Sequence, residues 1–159
     1  MITPDGLIAC LFGPMNGNRH DSHMLRESQL LEQLQDMMPE GEPGPIYLLY
    51  GDPAYPQSLY LIGGYRFPEP GSQQAAFNTQ MSKVREVVEW GFKEIMTQFS
   101  FLDFTANMKI FKMPIARYYK IGAFLCNLRS TLYENQTSNY FGMDTLKLEE
   151  YLNLINNLN

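Results

Sequence analysis

Two short segments of the chain place a carboxylate where it could take part in chemistry. The segment 50–56 (YGDPAYP) presents Asp52 directly after an apolar run, at the start of a turn, and the segment 85–89 (REVVE) presents Glu89 on a strongly periodic helical stretch. Carboxylate oxygens are the ligands that Mg²⁺ and similar hard cations prefer. Two acids on separate rigid elements therefore predict a divalent-metal site of the kind that supports phosphodiester cleavage.

Asp52 has an ordinary structural interpretation beside the functional one. An Asp that precedes a proline, here Pro53, commonly starts a turn. The functional interpretation makes Asp52 a metal ligand at the carboxyl end of a buried strand, which is where open α/β sheets place their sites. The Gly-Asp-Pro segment by itself leaves both interpretations open.

Glu89 differs from its neighbour Glu86 in helical geometry. At about 100° per residue, Glu89 lies on the shoulder of the apolar stripe, from which its side chain could reach a cleft, whereas Glu86 points away from the core. The alternative for Glu89 is an ordinary ion pair along the helix, with Lys93 or Arg85.

The only two histidines of the chain lie close together, with His20 and His23 on either side of Asp21 and Ser22. A zinc site takes three or four ligands, and no cysteine lies nearby in the sequence to complete one. We therefore expect Asp21 or Ser22 to cap the following helix, and we expect no retained zinc. The chain has no Gly-x-Ser-x-Gly, phosphate-loop or dinucleotide motif, so serine hydrolases, P-loop ATPases and Rossmann enzymes lack support.

A strand and a helix must position the two acids. Residues 46–50 form a short, fully apolar run, which predicts a strand in the middle of a covered sheet. The helix that carries Glu89 is the clearest element, because its apolar residues follow one stripe about four turns long. These residues are Val84, Val87, Val88, Gly91, Phe92, Ile95, Met96 and Phe99.

The remaining pattern predicts a hairpin and three more helices. The turn signal at 4–6 (PDG) leads into an apolar strand at 7–12, so we expect a hairpin whose short first arm indicates a missing upstream portion. Further helices are predicted at 22–38, from Pro114 onwards, and at 146–158. The apolar stripe of the second of these is Tyr118, Ile121, Leu125, Leu128 and Leu132.

Composition limits the class of protein. The chain has 159 residues, 45% of them hydrophobic, which suffices for one domain with a core. A net charge of −5 gives no overall basic surface, so contacts to nucleic acid would need a local patch, another segment or a partner. No apolar run approaches the ~20 residues that cross a bilayer.

Cys10 and Cys126 are expected to be buried free thiols. Without a visible secretory signal, the sequon at Asn135 is attributed to chance.

A colinear series of short motifs runs through about the first 130 residues. The motifs are Pro4-Asp5-Gly6-Leu7-Ile8, Gly13, Gly17, His20-Asp21-Ser22, Leu25-Arg26-Glu27-Ser28, Tyr47-Leu48-Leu49, Gly51-Asp52-Pro53-Ala54-Tyr55-Pro56, Phe77-Asn78, Arg85 and Val88-Glu89. In this order they resemble the DDE endonuclease family of Harbinger-type transposases. The colinear order makes the resemblance far more specific than any single motif.

The resemblance implies an RNase H-like fold and a triad of two Asp and one Glu that holds two divalent ions, Mg²⁺ or Mn²⁺. The second Asp of the triad corresponds to Asp52 and the Glu corresponds to Glu89, with Arg85 at a matching place in the same motif. The first Asp lies on an opening strand upstream of the hairpin turn and has no counterpart here. Neither Asp5, in the turn, nor Asp21, outside the triad positions, replaces it.

The resemblance also implies DNA as partner, with basic contacts supplied by a missing segment or a partner protein, and a nuclear location. The short apolar runs add the expectation of no membrane association. We predict an α/β, RNase H-like domain, a mixed sheet flanked by helices, that lacks its first strand. The endonuclease domain is expected at 1–135 and a terminal helical extension at 136–159. Its class chemistry is metal-dependent DNA cleavage by two-metal in-line attack, expected to be inactive in this fragment. The alternative is a non-catalytic, transposase-derived interaction protein, which the acidic charge and the absent first Asp favour.

Overall fold

The computed structural model describes residues 1–13, 15, 20–37, 48–102 and 114–157. Its elements are α1 (Asp21–Glu27), α2 (Leu30–Met37), β1 (Leu49–Tyr50), β2 (Leu61–Ile62), α3 (Gln73–Gln98), a 3₁₀ turn (Ser100–Leu102), α4 (Ile115–Ser130), α5 (Gln136–Phe141) and α6 (Leu148–Asn157). The described residues are thus rich in helix and contain a small parallel two-stranded sheet, which is compatible with the predicted α/β class.

The chain divides into two compact units. The helical unit consists of Met1–Gly13 and Val87–Asn159, and the strand unit consists of Pro14–Glu86. Helix α3 begins in the strand unit and ends in the helical unit.

Strands β1 and β2 pair in parallel in the strand unit, with Leu49 opposite Leu61. Gly51 follows β1 and lies against β2 so closely that an added Cβ would be 2.9 Å from Cδ1 of Leu61. Strand β1 confirms the strand predicted at 46–50 for its described part, but the expectation of a covered central strand is wrong there, because Tyr50 is 48% exposed and the sheet of described residues has two strands. Residues 46 and 47 lie outside the described residues.

The predicted helix at 22–38 is two helices. The chain breaks between α1 and α2 at Ser28 and at Gln29, whose φ is +52°. The hydroxyl of Ser28 donates to the carbonyl of Leu25 at 2.6 Å and accepts from the N–H of Leu30 at 3.3 Å. A serine hydroxyl competes for backbone groups in this way and favours turns over helix continuation.

The start of α1 also corrects the predicted cap. His20 is the N-cap residue of α1, and no side chain provides a capping hydrogen bond there. Asp21 instead lies in the first turn of the helix, where its negative charge interacts favourably with the helix dipole. The prediction that Asp21 or Ser22 caps this helix is therefore wrong.

Helix α3 confirms the predicted helix around Glu89 and begins earlier than its apolar stripe, at Gln73. Ser72 precedes it and accepts a hydrogen bond from the N–H of Ala75 at 3.2 Å, the contact expected of an N-cap. Val87 and Ile95 of the stripe are buried.

The apolar core lies in the helical unit. Its buried residues are Ile95, Leu102, Ala123 and Cys126, and the partly buried Ile8, Leu11, Phe99 and Tyr119 pack against them. Cys126 is a buried free thiol, as predicted, whereas Cys10 is a free thiol that is only half-buried, so the expectation of burial is wrong for Cys10.

Helix α4 starts after Pro114 as predicted, but it buries a different face. The predicted stripe is largely wrong, because its residues Tyr118, Ile121, Leu125 and Leu132 are exposed. The buried face carries small or polar residues: Gly122, Ala123, Cys126, Asn127 and Ser130. A Cβ at Gly122 would lie 2.9 Å from Leu102 and 3.3 Å from Ile95, so this face is selected by how closely the core approaches the helix backbone.

The hairpin at 4–6 is confirmed, while the strand that should follow it is not. Ile2 and Ile8 form an antiparallel bridge, and Gly6 turns the chain with a φ of +86°. Residues 7–12 form no strand in the described part of the helical unit. The side chain of Asn127 takes the place of a partner strand, since it accepts from the N–H of Ile8 at 2.8 Å and donates to the carbonyl of Ile8 at 3.0 Å.

The last two helices complete the helical unit. Asn135 caps α5, which the sequence pattern did not predict, by accepting from the N–H of Ser138 at 2.8 Å. The amide nitrogen of Asn135 donates to the carbonyl of Asp5 and to the hydroxyl of Thr145, so this sequon asparagine is buried and fully engaged. Helix α6 confirms the terminal helix predicted at 146–158, although residue 158 lies outside the described range. Among the described helices, none combines the length and apolar character that a membrane span requires.

Candidate functional site

Asp52 lies two residues beyond the end of β1 and shapes the turn that follows. Its Oδ1 accepts a hydrogen bond from the N–H of Ala54 at 2.9 Å, and its carbonyl accepts from the N–H of Tyr55 at 2.9 Å. The structural interpretation of the Gly-Asp-Pro segment is therefore confirmed. The strand-end position that the metal-ligand interpretation requires is confirmed as well.

The other carboxylate oxygen of Asp52 belongs to an ion pair with a helix residue. Its Oδ2 lies 3.0 Å from a guanidinium nitrogen of Arg85 on α3, and the side chains are 41% and 40% exposed. Both oxygens of Asp52 are thus engaged, one by a backbone N–H and one by a cation. A solvent-accessible pair of this kind contributes little to stability and can be opened by a competing ligand.

Tyr55 completes the group around Asp52 in the strand unit. Burial raises the pKa of the Tyr55 hydroxyl, and the negative charges of Asp21 and Asp52 raise it further, while Arg85 acts in the opposite direction. The hydroxyl of Tyr55 therefore keeps its proton at neutral pH and is available as a hydrogen-bond donor.

Glu89 lies on α3 four residues after Arg85, so the two residues occupy the same side of that helix. Glu89 and Glu86 are both exposed, and burial therefore does not distinguish them in the way the helical wheel does. Within the described residues Glu89 forms no ion pair with Lys93, and the guanidinium of Arg85 pairs with Asp52. The convergence of the carboxylates of Asp52 and Glu89 stays a prediction.

His23 contacts other residues of α1, and His20, Ser22 and His23 line a cavity of about 430 Å³ in the strand unit. Nδ1 of His23 lies 3.0 Å from a guanidinium nitrogen of Arg26, and Nε2 lies 3.9 Å from the carboxylate of Glu27. Across the ranges that the structure describes, no three His, Cys, Asp or Glu residues come together in a way that could hold a metal ion.

The carboxylate of Asp52 suits a divalent cation, but the described residues supply too few ligands around it. Asp52 supplies the hard oxygen ligand that Mg²⁺ and Mn²⁺ prefer. One oxygen already faces a guanidinium, however, and the described residues bring no cluster of acids around it. The described arrangement is therefore not a complete two-ion site, and a cation that uses both oxygens of Asp52 has to displace Arg85.

A second cavity of about 270 Å³ lies beside Asp52 at the carboxyl ends of both strands. It is lined by Pro53, Tyr55, Gln57, Gly63, Gly64, Tyr65 and Arg66. No local sequence pattern predicts this cavity, because its lining comes from two loops whose approach depends on the pairing of β1 with β2. The one local signal is the Gly63-Gly64 pair, which directly follows the second strand.

Comparison with known protein families gives a match over most of the chain. The family described as DDE superfamily endonuclease matches residues 1–128 of this chain, a range that includes Asp52, Arg85 and Glu89. Comparisons with the curated proteins and with the solved structures gave no match.

Proposed function

Because the chain belongs to the DDE superfamily endonucleases, we propose that it is a transposase-type nuclease domain of the Harbinger kind, with an RNase H-like fold. In this proposal its substrate is DNA, its metal ligands are Asp52 and Glu89, and its cation is Mg²⁺ or Mn²⁺. A nuclear location forms part of the same proposal, because that is where a transposase meets chromosomal DNA.

The ion pair between Arg85 and Asp52 is the observation that carries the proposal. It connects the turn that bears the family's second Asp to the helix that bears the family's Glu. Glu89 follows Arg85 by four residues on that helix, a rise of about 6 Å. The ion pair also limits metal binding, since a cation has to replace the guanidinium before it can use both oxygens of Asp52.

Metal binding tests the proposal directly. We expect weak Mn²⁺ binding by calorimetry, lost in Asp52→Asn and in Glu89→Gln, because each change removes a charged oxygen ligand. The matched control is Glu86→Gln, three residues from Glu89 on the same helix and equally exposed, which should retain binding. Equal loss in Glu86→Gln would mean that Mn²⁺ responds to the surface charge of the helix, and the assignment of Glu89 would fail.

A second candidate function is a non-catalytic, transposase-derived interaction protein. The engagement of both Asp52 oxygens and the net charge of −5 favour it. Nicking of a supercoiled plasmid with Mg²⁺ or Mn²⁺ that disappears in Asp52→Asn would identify an active nuclease. We expect these 159 residues to nick at the level of the buffer blank under either candidate, because the family's first metal-holding Asp has no counterpart among them. Mn²⁺ binding that depends on both Asp52 and Glu89 therefore separates the candidates, since the interaction protein needs no metal site.

A further inference from the structure

The loop after β2 is anchored to α3 and carries aromatic side chains beside the Asp52 turn. The amide of Asn78 on α3 clamps Tyr65 from both sides, because its Oδ1 accepts from the N–H of Tyr65 at 2.8 Å and its nitrogen donates to the carbonyl of Tyr65 at 2.9 Å. The ring of Tyr65 packs edge-on against Phe77, with ring centroids 5.5 Å apart. The loop is thus fixed to the helix by hydrogen bonds and by a ring contact.

Glycine allows this loop to approach the Asp52 turn. A Cβ at Gly64 would lie 3.0 Å from the Asn78 amide and 3.3 Å from Pro53, tighter than side chains normally pack. A Cβ at Gly63 would lie 3.5 Å from the carbonyl oxygen of Asp52. The wall of the 270 Å³ cavity is therefore continuous with the backbone of the candidate metal ligand.

Packing within the strand unit does not explain the position of Phe67. Its side chain is 98% exposed, and its backbone has a φ of +52°, a conformation that costs free energy for a residue other than glycine. A fully exposed aromatic ring on an anchored loop contributes nothing to a core. A single exposed apolar side chain is common at protein surfaces. What distinguishes Phe67 is its position, directly after Arg66 of the cavity lining and on the loop that Asn78 holds.

From these features we infer that the cavity beside Asp52 receives one unstacked nucleotide of the DNA substrate and that Phe67 fills the gap the nucleotide leaves in the duplex. The inference rests on the proposed function, because it takes DNA as the ligand. Proteins that distort DNA insert apolar wedges between base steps, and enzymes that do chemistry on a base receive the unstacked nucleotide in a pocket lined by aromatic and polar side chains.

The chemistry of the lining fits a nucleotide. The rings of Tyr55 and Tyr65 offer stacking surfaces, which bind any base through its π face. Gln57 has both a donor and an acceptor with which to contact the edge of a base. Arg66 is the one charged residue among the described residues of the lining and can pair with a phosphate, which supplies a local cation in an acidic chain.

Measuring DNA binding without metal tests this nucleotide site separately from catalysis. The probes are a short fluorescein-labelled duplex with one unpaired nucleotide and the same duplex fully paired, and binding is followed by anisotropy in EDTA. We expect the first probe to bind about tenfold more tightly, which corresponds to stacking one base on aromatic side chains. Replacing the unpaired nucleotide by an abasic one keeps the backbone and should remove the preference.

Variants then assign the preference to residues. Phe67→Ala should remove most of the tenfold difference without affecting folding, because the side chain is exposed, and Phe67→Trp should restore it. Arg66→Gln should weaken binding to both duplexes. The control is Leu59→Ala, whose side chain is 84% exposed and which precedes β2, at the end of the strand opposite to Phe67.

Three results would overturn the inference: equal affinity for the paired and unpaired probes, an abasic probe that binds as well as the unpaired one, or equal effects of Phe67→Ala and Leu59→Ala. Binding to neither duplex would overturn it as well. Mn²⁺ binding at Asp52 with no preference between duplexes would refute only the nucleotide site. A clear preference with no metal binding at Asp52 would refute only the proposed metal chemistry.

Discussion

The helical unit and the strand unit use their side chains differently. In the helical unit Ile95, Leu102, Ala123 and Cys126 form a core, and buried polar residues such as Asn127 and Asn135 are fully hydrogen-bonded inside it. Among the described residues of the strand unit, only Leu61 and Met81 are buried apolar side chains, while Asp52, Arg85 and Phe67 remain accessible. The residues that stabilise the chain and the residues that could bind a ligand are therefore largely separate.

Mutations in the two units should have different effects. No buried side-chain polar atom in the described part of the chain lacks a hydrogen-bond partner, and most such atoms lie in the helical unit. Removing a partner there leaves an unsatisfied group and lowers the free energy of unfolding. Changes at the accessible polar residues of the strand unit should instead alter binding at little cost in stability.

Leu102→Ala should have the largest effect on stability. Leu102 is 0% exposed and packs in the core against Gly122 of α4, so its truncation leaves a cavity. We expect a loss of about 3 kcal/mol in the free energy of unfolding, measured by urea denaturation. The control in the strand unit is Leu59→Ala, at 84% exposure, which should change stability by less than about 0.5 kcal/mol. Similar losses for both variants would refute the contrast between the units.

Gly6→Ala and Gly71→Ala form a matched pair across the two units. Both glycines have a positive φ, of +86° and +77°, so an alanine is strained at either position, at about 1–2 kcal/mol. At Gly6 the new Cβ would also overlap the side chain of Asn135, whereas nothing lies within 4 Å of a Cβ at Gly71. We expect Gly6→Ala to cost about 1 kcal/mol more than Gly71→Ala in chemical denaturation. Equal costs would show that the hairpin does not depend on its fit to Asn135.

Arg85→Gln should tighten metal binding while leaving stability almost unchanged. The change removes the cation that competes for Asp52, so we expect the affinity for Mn²⁺ to rise about tenfold, or ~1.4 kcal/mol. The pair is accessible and screened, so the free energy of unfolding should change by less than about 1 kcal/mol. Lys83→Gln on the same helix is the control for net charge. If Arg85→Gln weakens Mn²⁺ binding, the guanidinium supports the site instead of closing it.

Asp21→Ala should have the smallest effect. Because His20 is the N-cap of α1, Asp21 contributes only its interaction with the helix dipole, about 0.5 kcal/mol. Asn135→Ala removes a real cap from α5 and should cost more, about 2 kcal/mol, because its partners are buried as well. A comparable loss for Asp21→Ala would mean that its carboxylate caps α1 in solution.

The sequence by itself determined the elements whose signal is local. The apolar stripe of α3 spans several turns and predicts a helix without any knowledge of its neighbours. The PDG turn, the Gly-Asp-Pro turn after β1 and the start of α4 after Pro114 follow from residues with fixed backbone preferences. The family, and with it Asp52 and Glu89 as candidate residues, was also accessible from the order of short motifs.

Only the tertiary structure decided which groups meet across long separations in the chain. Asn127 bonds to the backbone of Ile8, 119 residues away, and this contact replaces the strand that an apolar run at 7–12 predicts. The face that α4 buries depends on how closely Leu102 and Ile95 approach Gly122, and residue size therefore outweighs hydrophobicity there. The partner of Asp52 is Arg85, and the cavity beside it exists because β1 and β2 bring two loops together. Periodicity describes neighbours within one element, whereas each of these contacts depends on residues that the chain brings together only when it folds.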